Sequence, residues 1–222
     1  MKDIRATRGR HYLQRLIDEG EHEQQDFKFA ISDARKIARS ISAFANNSGG
    51  RLLVGVKDNG RIAGVRNEED IYVIEQAAEM YCRPAQHVDF SAYRAEGDAV
   101  VVIATITAAP RRPVMSQEPD LTWHAYYRVA DENILAPDIM VKAWRRRHAS
   151  RSTSSLALGE RELSLLGLID RHGAVTLHDY ITSSHLSRPA AETVVATLYS
   201  MGIIDFRFLS REFHIVRQPA AD

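Results

Sequence analysis

The polar segment of residues 149–155, ASRSTSS, constrains this chain most, because it carries small and polar side chains and no large apolar one. A segment of that composition contributes nothing to a hydrophobic core and is typical of a flexible linker. It divides the 222 residues into a predicted first domain of residues 1–148, a linker of residues 149–155 and a predicted second domain of residues 156–222. The chain is therefore expected to form two separate cores.

Composition excludes several classes of protein. Hydrophobic residues make up 45% of the chain and charged residues 26%, which is typical of globular proteins and excludes a fibrous or disordered chain. The single cysteine, Cys82, can form neither an internal disulfide nor a structural zinc centre, so we expect a reduced, cytoplasmic protein. The longest apolar run, residues 99–109, is too short to span a membrane, and no membrane partner is expected.

Apolar periodicity in the first domain predicts a mixed α/β (α+β) fold. The predicted helices cover residues 7–19, 32–45 and 68–81, with a last helix beginning at Pro137. The predicted strands cover residues 26–29, 52–56, 62–65, 87–93, 99–107 and 125–129. The Asn-Gly pair at residues 59–60 predicts a hairpin between the strands at 52–56 and 62–65.

The second domain has the pattern of a winged helix-turn-helix. Helical spacing covers residues 160–172, 176–183 and 187–201, and a hairpin of residues 203–208 and 212–216 follows. The third helix would be the one that reads DNA, with Arg188 near its start and with Thr193, Ala196 and Thr197 facing outward.

Charge alone does not identify a partner, since 29 basic residues balance 29 acidic ones. All but five of the basic side chains are arginine, and a guanidinium can bind two phosphate oxygens at once. A simple preference for arginine on a solvated surface explains the same count equally well.

Asp26 and Lys28 are the first candidates for chemistry, because alternate residues of a strand project from the same face. Glu21 can join them only if the chain bends between residues 21 and 26. Such carboxylates could hold a divalent metal beside an ammonium group, as in hydrolysis of a phosphodiester. Spacing alone favours the alternative, an exposed ion pair between Asp26 and Lys28.

Three ordered segments resemble the Schlafen AlbA-like domain: GEHEQQDFK at 20–28, ISAFANNSGG at 41–50 and LLVGVKDNGRIAGV at 52–65. The resemblance covers roughly the first two thirds of the chain. It implies a mixed-sheet Schlafen AlbA-like domain, here followed by a small C-terminal winged-helix domain. In bacteria this domain is described as DNA-binding and often belongs to transcriptional regulators, so the resemblance implies a bacterial DNA-binding protein that regulates transcription.

Some eukaryotic Schlafens are RNA endonucleases, and the resemblance carries their three acidic residues onto Glu21, Asp26 and Asp58, with Lys28 in the same motif. The family pattern has glutamate where this chain has Asp26, which is shorter by about 1.5 Å and alters the geometry of a metal site. Asp58 also aligns ambiguously with Asn59. No cofactor is therefore expected, and magnesium or manganese is implied only by the alternative of a metal-dependent endoribonuclease.

A nucleic-acid partner, DNA in preference to RNA, would be held electrostatically by arginines. The predicted contact residues are Arg35, Arg39, Arg145, Arg146, Arg147, Arg151, Arg188, Arg207 and Arg211. A second alternative is a non-catalytic assembly module whose winged helix forms a homodimer or docks another protein.

Overall fold

The computed structural model describes residues 4–65, 69–95, 97, 99–149 and 158–219. The chain divides into two compact units, one formed by Met1–Pro110 with Val114–Ala136 and the other by Arg111–Pro113 with Pro137–Asp222. The predicted mixed α/β class is confirmed. Among the described residues, no helix combines the length and apolar character needed to cross a membrane.

The first unit contains three helices and nine strands within its described residues. The helices are α1 (Arg10–Asp18), α2 (Ala34–Ala45) and α3 (Glu69–Met80). The strands are β1 (Thr7–Arg8), β2 (Gln25–Lys28), β3 (Gly50–Val54), β4 (Cys82–Arg83), β5 (Val88–Arg94), β6 (Val100–Ile106), β7 (Met115–Gln117), β8 (Trp123–Val129) and β9 (Glu132–Leu135).

Two sheets organise these strands. The first has the order β1-β5-β6-β3-β2, with β2 parallel to β3 and with β6 antiparallel to both β3 and β5. The second has the order β4-β7-β8-β9 and is antiparallel throughout. The predicted hairpin is present only at its tip, where the antiparallel bridge between Val56 and Ile62 and the bond from Lys57 N to Arg61 O close the turn. The rest of the strand at 52–54 pairs with β2 and β6 instead, as β3 of the sheet, and Leu52, Leu53 and Val54 are fully buried there.

Helix α2 contacts both sheets of this unit. Asp33 begins it by accepting hydrogen bonds from the backbone N–H groups of Arg35 and Lys36. Its apolar side chains pack in a core that also contains residues of β3 and β6. Asn46, the residue that follows the helix, bonds both to Val114 N (2.7 Å) and to Val114 O (2.8 Å), just before β7 of the second sheet. The helix thus satisfies buried backbone groups that no strand reaches.

The second unit contains α4 (Asp138–Ala149), α5 (Glu160–His172), β10 (Ala174–Val175), α6 (Leu177–Ser184), α7 (Arg188–Ser200), β11 (Ile204–Leu209) and β12 (Glu212–Arg217). The three predicted helices and the terminal hairpin are confirmed. Ser210 and Arg211, at φ values of +50° and +69°, form the hairpin turn. Positive φ at both central residues gives the twist that two-residue hairpins favour.

Helix α4 packs against α7 within this unit. Met140 and Trp144 are buried, and Lys142 Nζ lies 3.1 Å from Glu192 Oε2 of α7. The predicted first domain includes residues 137–148, whereas these residues belong to the second compact unit. Most of the predicted linker lies outside the described residues, so its position at 149–155 stays a prediction.

The packing of α4 predicts that a fragment of residues 137–222 is more stable than one of residues 156–222. Without α4, the apolar surface that Met140 and Trp144 cover would be exposed, at about 1.5–3 kcal/mol for each large side chain. The melting temperature of the shorter fragment should be lower by roughly 10 °C or more, as measured by circular dichroism. Equal melting temperatures would show that α4 adds nothing to this core.

Candidate functional site

The chain bends between α1 and β2, as the candidate site required. Gly20 has a positive φ of +70°, which glycine adopts readily, and a bridge between His22 and Gln25 closes the turn. Glu21 is thereby brought back to β2, where its Oε1 accepts a hydrogen bond of 2.8 Å from the backbone N–H of Phe27.

Asp26 forms the predicted contact with Lys28, with 2.7 Å between Lys28 Nζ and Asp26 Oδ2. The pair is not an exposed one, however, since the Asp26 side chain is only 6% accessible. A second cation approaches from β8, and Arg128 Nη2 lies 3.3 Å from Asp26 Oδ1. Both carboxylate oxygens of Asp26 are therefore occupied by positive groups, and the pairing is partly buried.

Sequence reasoning missed Arg128, whose side chain is 1% accessible. Besides Asp26, its guanidinium bonds to Asn133 Oδ1 (3.0 Å) and to the carbonyl oxygen of Gln25 (3.3 Å). It also lies 5.2 Å from the centre of the Phe44 ring. The available signal was a charged residue inside the predicted strand of residues 125–129, because a charge that becomes buried requires a partner.

Burial raises the pKa of Glu21 above its ordinary value. A hydrogen bond and the negative charge of Asp26 raise it further, against the opposing effects of the Phe27 N–H and Lys28. Glu21 therefore keeps its proton to a higher pH than a solvated glutamate does, which weakens it as a ligand for a cation.

An open groove of about 640 Å³ contains Glu21, Asp58, Asn59 and Asp131 among its lining residues. Asp58 thus reaches the same groove as Glu21, whereas both oxygens of Asp26 are turned to Lys28 and Arg128. Among the described residues, no three side chains of His, Cys, Asp or Glu lie together in a way that could hold a metal ion. Of the three acidic residues in the motif, Asp26 is thus the one whose oxygens are least available to a metal ion.

The predicted arginines of α2 are already engaged. Arg39 binds Glu118 through two nitrogens, and Tyr126 donates a hydrogen bond of 2.8 Å to the same carboxylate. Burial opposes ionisation of Glu118, yet these bonds hold its pKa below the usual value. Arg35 stacks on Tyr81, with its guanidinium carbon 4.6 Å from the ring centre. The Glu118 carboxylate thus neutralises the charge of Arg39. Arg35 is half-buried.

The predicted arginines of the second unit are more accessible. Arg145 and Arg146 are exposed on α4, as are Arg207 on β11 and Arg211 at the hairpin turn. Arg147 is also exposed, with its guanidinium carbon 5.4 Å from the centre of the Tyr199 ring. Arg151 lies outside the described residues.

Helix α7 exposes Arg188 in its first turn and Thr193 further along, whereas Thr197 is half-buried. Arg188 is exposed but lies 3.4 Å from Glu192, which Lys142 also contacts. Ala196 was expected to face outward and is buried, because the helix packs against its neighbours on several sides. The exposed side chains of this helix thus lie in its N-terminal half.

Comparison with known proteins identifies a family. Residues 21–137 match the family described as Schlafen, AlbA_2, and this match covers more than half of the chain. It ends where the second unit begins. No curated protein matches the chain.

Two solved structures are similar to this one. The DIP2311 protein of Corynebacterium diphtheriae is 20% identical, with a TM-score of 0.44; the match covers 88% of this chain, which spans only 34% of that one. The N-terminal domain of an ATP-dependent DNA helicase RecG-related protein of Nitrosomonas europaea is 18% identical, with a TM-score of 0.41. That match covers 69% of this chain and 96% of the other.

The ion cluster around Asp26 predicts a double-mutant result. Arg128→Met should lower the free energy of unfolding by about 3 kcal/mol, because it leaves Asp26 buried with one cation fewer. Asp26→Asn in the same chain should recover part of that loss, since no buried charge then lacks its partner. Urea denaturation measures both values. Independent, additive effects of the two changes would contradict the coupling.

The occupied oxygens of Asp26 predict that the protein is not a nuclease. Purified protein with magnesium or manganese should leave labelled RNA and single-stranded DNA intact on a denaturing gel. Cleavage that disappears in both Asp26→Ala and Glu21→Ala, with circular dichroism unchanged, would overturn this expectation.

Proposed function

Because the chain belongs to the Schlafen AlbA_2 family, we propose that it binds nucleic acid and acts as a bacterial DNA-binding regulator of transcription. The observation that carries the proposal is the run of exposed arginines Arg145, Arg146 and Arg147 at the end of α4. Arg145 and Arg146 form no ion pair within the described residues. In a protein with no net charge, such a cluster provides a local positive patch for phosphates.

The order of elements in the second unit supports a winged helix as the DNA-binding part. A helix, a short strand, two further helices and a hairpin follow one another from α5 to β12, and the hairpin corresponds to the wing. Arg207 and Arg211 place two more cations on that hairpin. We propose DNA rather than RNA as the partner, since helix-turn-helix units dock on duplex DNA.

Mechanistically, binding is electrostatic. Arginines displace the counterions of the phosphate backbone and fix the position of the protein on the duplex. Arg188 is the candidate for reading a base, and its guanidinium would exchange Glu192 for that contact. Since Arg188 and Thr193 are the exposed polar side chains of α7, we propose that sequence preference is modest.

A second candidate function is protein assembly through the second unit, including formation of a homodimer. The observation that favours it is the burial of α7, whose residues from Val194 to Ala196 are enclosed. A helix buried in this way is better suited to packing within the protein than to binding in a groove of DNA.

The proposal predicts strongly salt-dependent binding. Changing Arg145, Arg146 and Arg147 to alanine should weaken binding to every duplex sequence alike, because the lost contacts go to phosphates. The slope of log K against log salt concentration should fall by roughly 0.9 for each lost contact with duplex DNA. Gel shifts or fluorescence anisotropy over a salt series measure this slope.

A matched control removes three exposed arginines of the first unit, with Arg5, Arg8 and Arg94 changed to alanine. We expect the control to keep the wild-type slope. Binding by the α4 variant as tight as that of the wild type at low salt would show that this patch is not the site.

A further inference from the structure

The loop of residues 55–64 is fixed to the end of β2 and closed on itself. Gly55 donates a backbone hydrogen bond of 2.8 Å to the carbonyl oxygen of Lys28, and the N–H groups of Ala63 and Gly64 both bond to the carbonyl oxygen of Gly55. Lys57 N bonds to Arg61 O (3.0 Å). These backbone hydrogen bonds therefore hold the loop in a defined conformation next to β2.

Residues of this loop line two cavities of different charge. Asp58 and Asn59 line the acidic groove with Glu21. A second cavity, a cleft of about 420 Å³, is lined by Phe29, Lys57, Arg61, Ile62, Ala63 and Gly64. Of the described residues that line this cleft, the two charged ones are both basic.

The cationic groups of the cleft stand beside apolar surface. Lys57 Nζ lies 4.8 Å from the centre of the Phe29 ring, within the distance of about 6 Å at which an aromatic face attracts a cation. Ile62 is half-buried at the same opening. An ammonium and a guanidinium next to a ring and an aliphatic side chain match a ligand with a phosphate at one end and a flat apolar body at the other.

We propose that this cleft binds one nucleotide, with its phosphate between Lys57 and Arg61 and its base against Phe29 and Ile62. A base in a duplex is stacked and paired, whereas a base in a single strand or a free nucleotide can enter such a cleft. The carboxylates of the acidic groove repel phosphate, so the basic cleft is the one that suits this ligand. The inference rests on the proposed function and adds to it a separate site in the first unit.

The test is fluorescence anisotropy with labelled 20-residue strands of deoxythymidine and of uridine, and with a 20-base-pair duplex, on the full chain. Lys57→Gln and Arg61→Gln should each raise the Kd for the single strands by about fivefold or more. The slope of log K against log salt concentration should fall by about 0.7 for each change. Phe29→Leu keeps both charges and should weaken single-strand binding by about threefold or more, because it removes the stacking ring.

Arg8→Gln is the matched control, since it removes one exposed charge from β1, at the opposite edge of the five-stranded sheet from β2. It should leave single-strand binding unchanged, and all variants should keep the wild-type melting temperature. Competition with thymidine monophosphate and uridine monophosphate separates the two sources. Displacement of the strand supports a free nucleotide as the ligand, and its absence supports a nucleotide within a strand.

Two results would overturn the inference. If wild-type protein binds the strands and both Lys57→Gln and Arg61→Gln bind as Arg8→Gln does, the cleft is not the site, and the proposed function still stands. If wild-type protein binds neither the strands nor the duplex at 50 mM salt, the proposed function fails and the inference fails with it.

Discussion

The guanidinium of Arg128, which has almost no contact with water, determines how the first unit is assembled. A buried charge of this kind is tolerated only where other groups compensate it, and here Asp26, Asn133 and the Gln25 carbonyl do so. The contact joins β8 of the second sheet to β2 at the edge of the first. It also gives the Asp26 carboxylate a structural role, because each of its oxygens contacts a cation.

Buried polar groups without charge are also paired, at the end of helix α2. Ser42 of this helix and Asn46, which follows it, are fully buried, and they bond to the backbone of Val114 and Tyr126. A sheet that presents unpaired backbone groups toward a helix would be unstable unless the helix supplied partners. The apolar face of α2 therefore holds one sheet by exclusion of water, and its polar face holds the other by hydrogen bonds.

Local patterns predicted much of this structure. Alternation placed Asp26 and Lys28 on one face of β2, and helical spacing located α2, α5 and α7 to within a few residues. The contacts that local patterns did not predict join residues far apart in the chain. Arg128 and its partner Gln25 are separated by 103 positions in the chain, and no periodicity reports such a contact. The apolar positions of α4 predict a helix with one buried face, but they do not indicate which of the two units this face packs in. The Asn-Gly pair correctly predicted the turn after the strand at 52–54, but no local signal predicts that this strand pairs with β2 and β6.

The turn at Ser210 and Arg211 has a further consequence for how this sequence can change. Both residues hold a left-handed backbone conformation that asparagine and glycine adopt at lower cost, and the difference is on the order of 1 kcal/mol per residue. A chain selected for thermal stability alone would drift toward Asn-Gly here. Arg211 places a positive charge at the tip of the hairpin in a strained backbone conformation. Replacing it with glycine would relieve the strain and would also remove that charge.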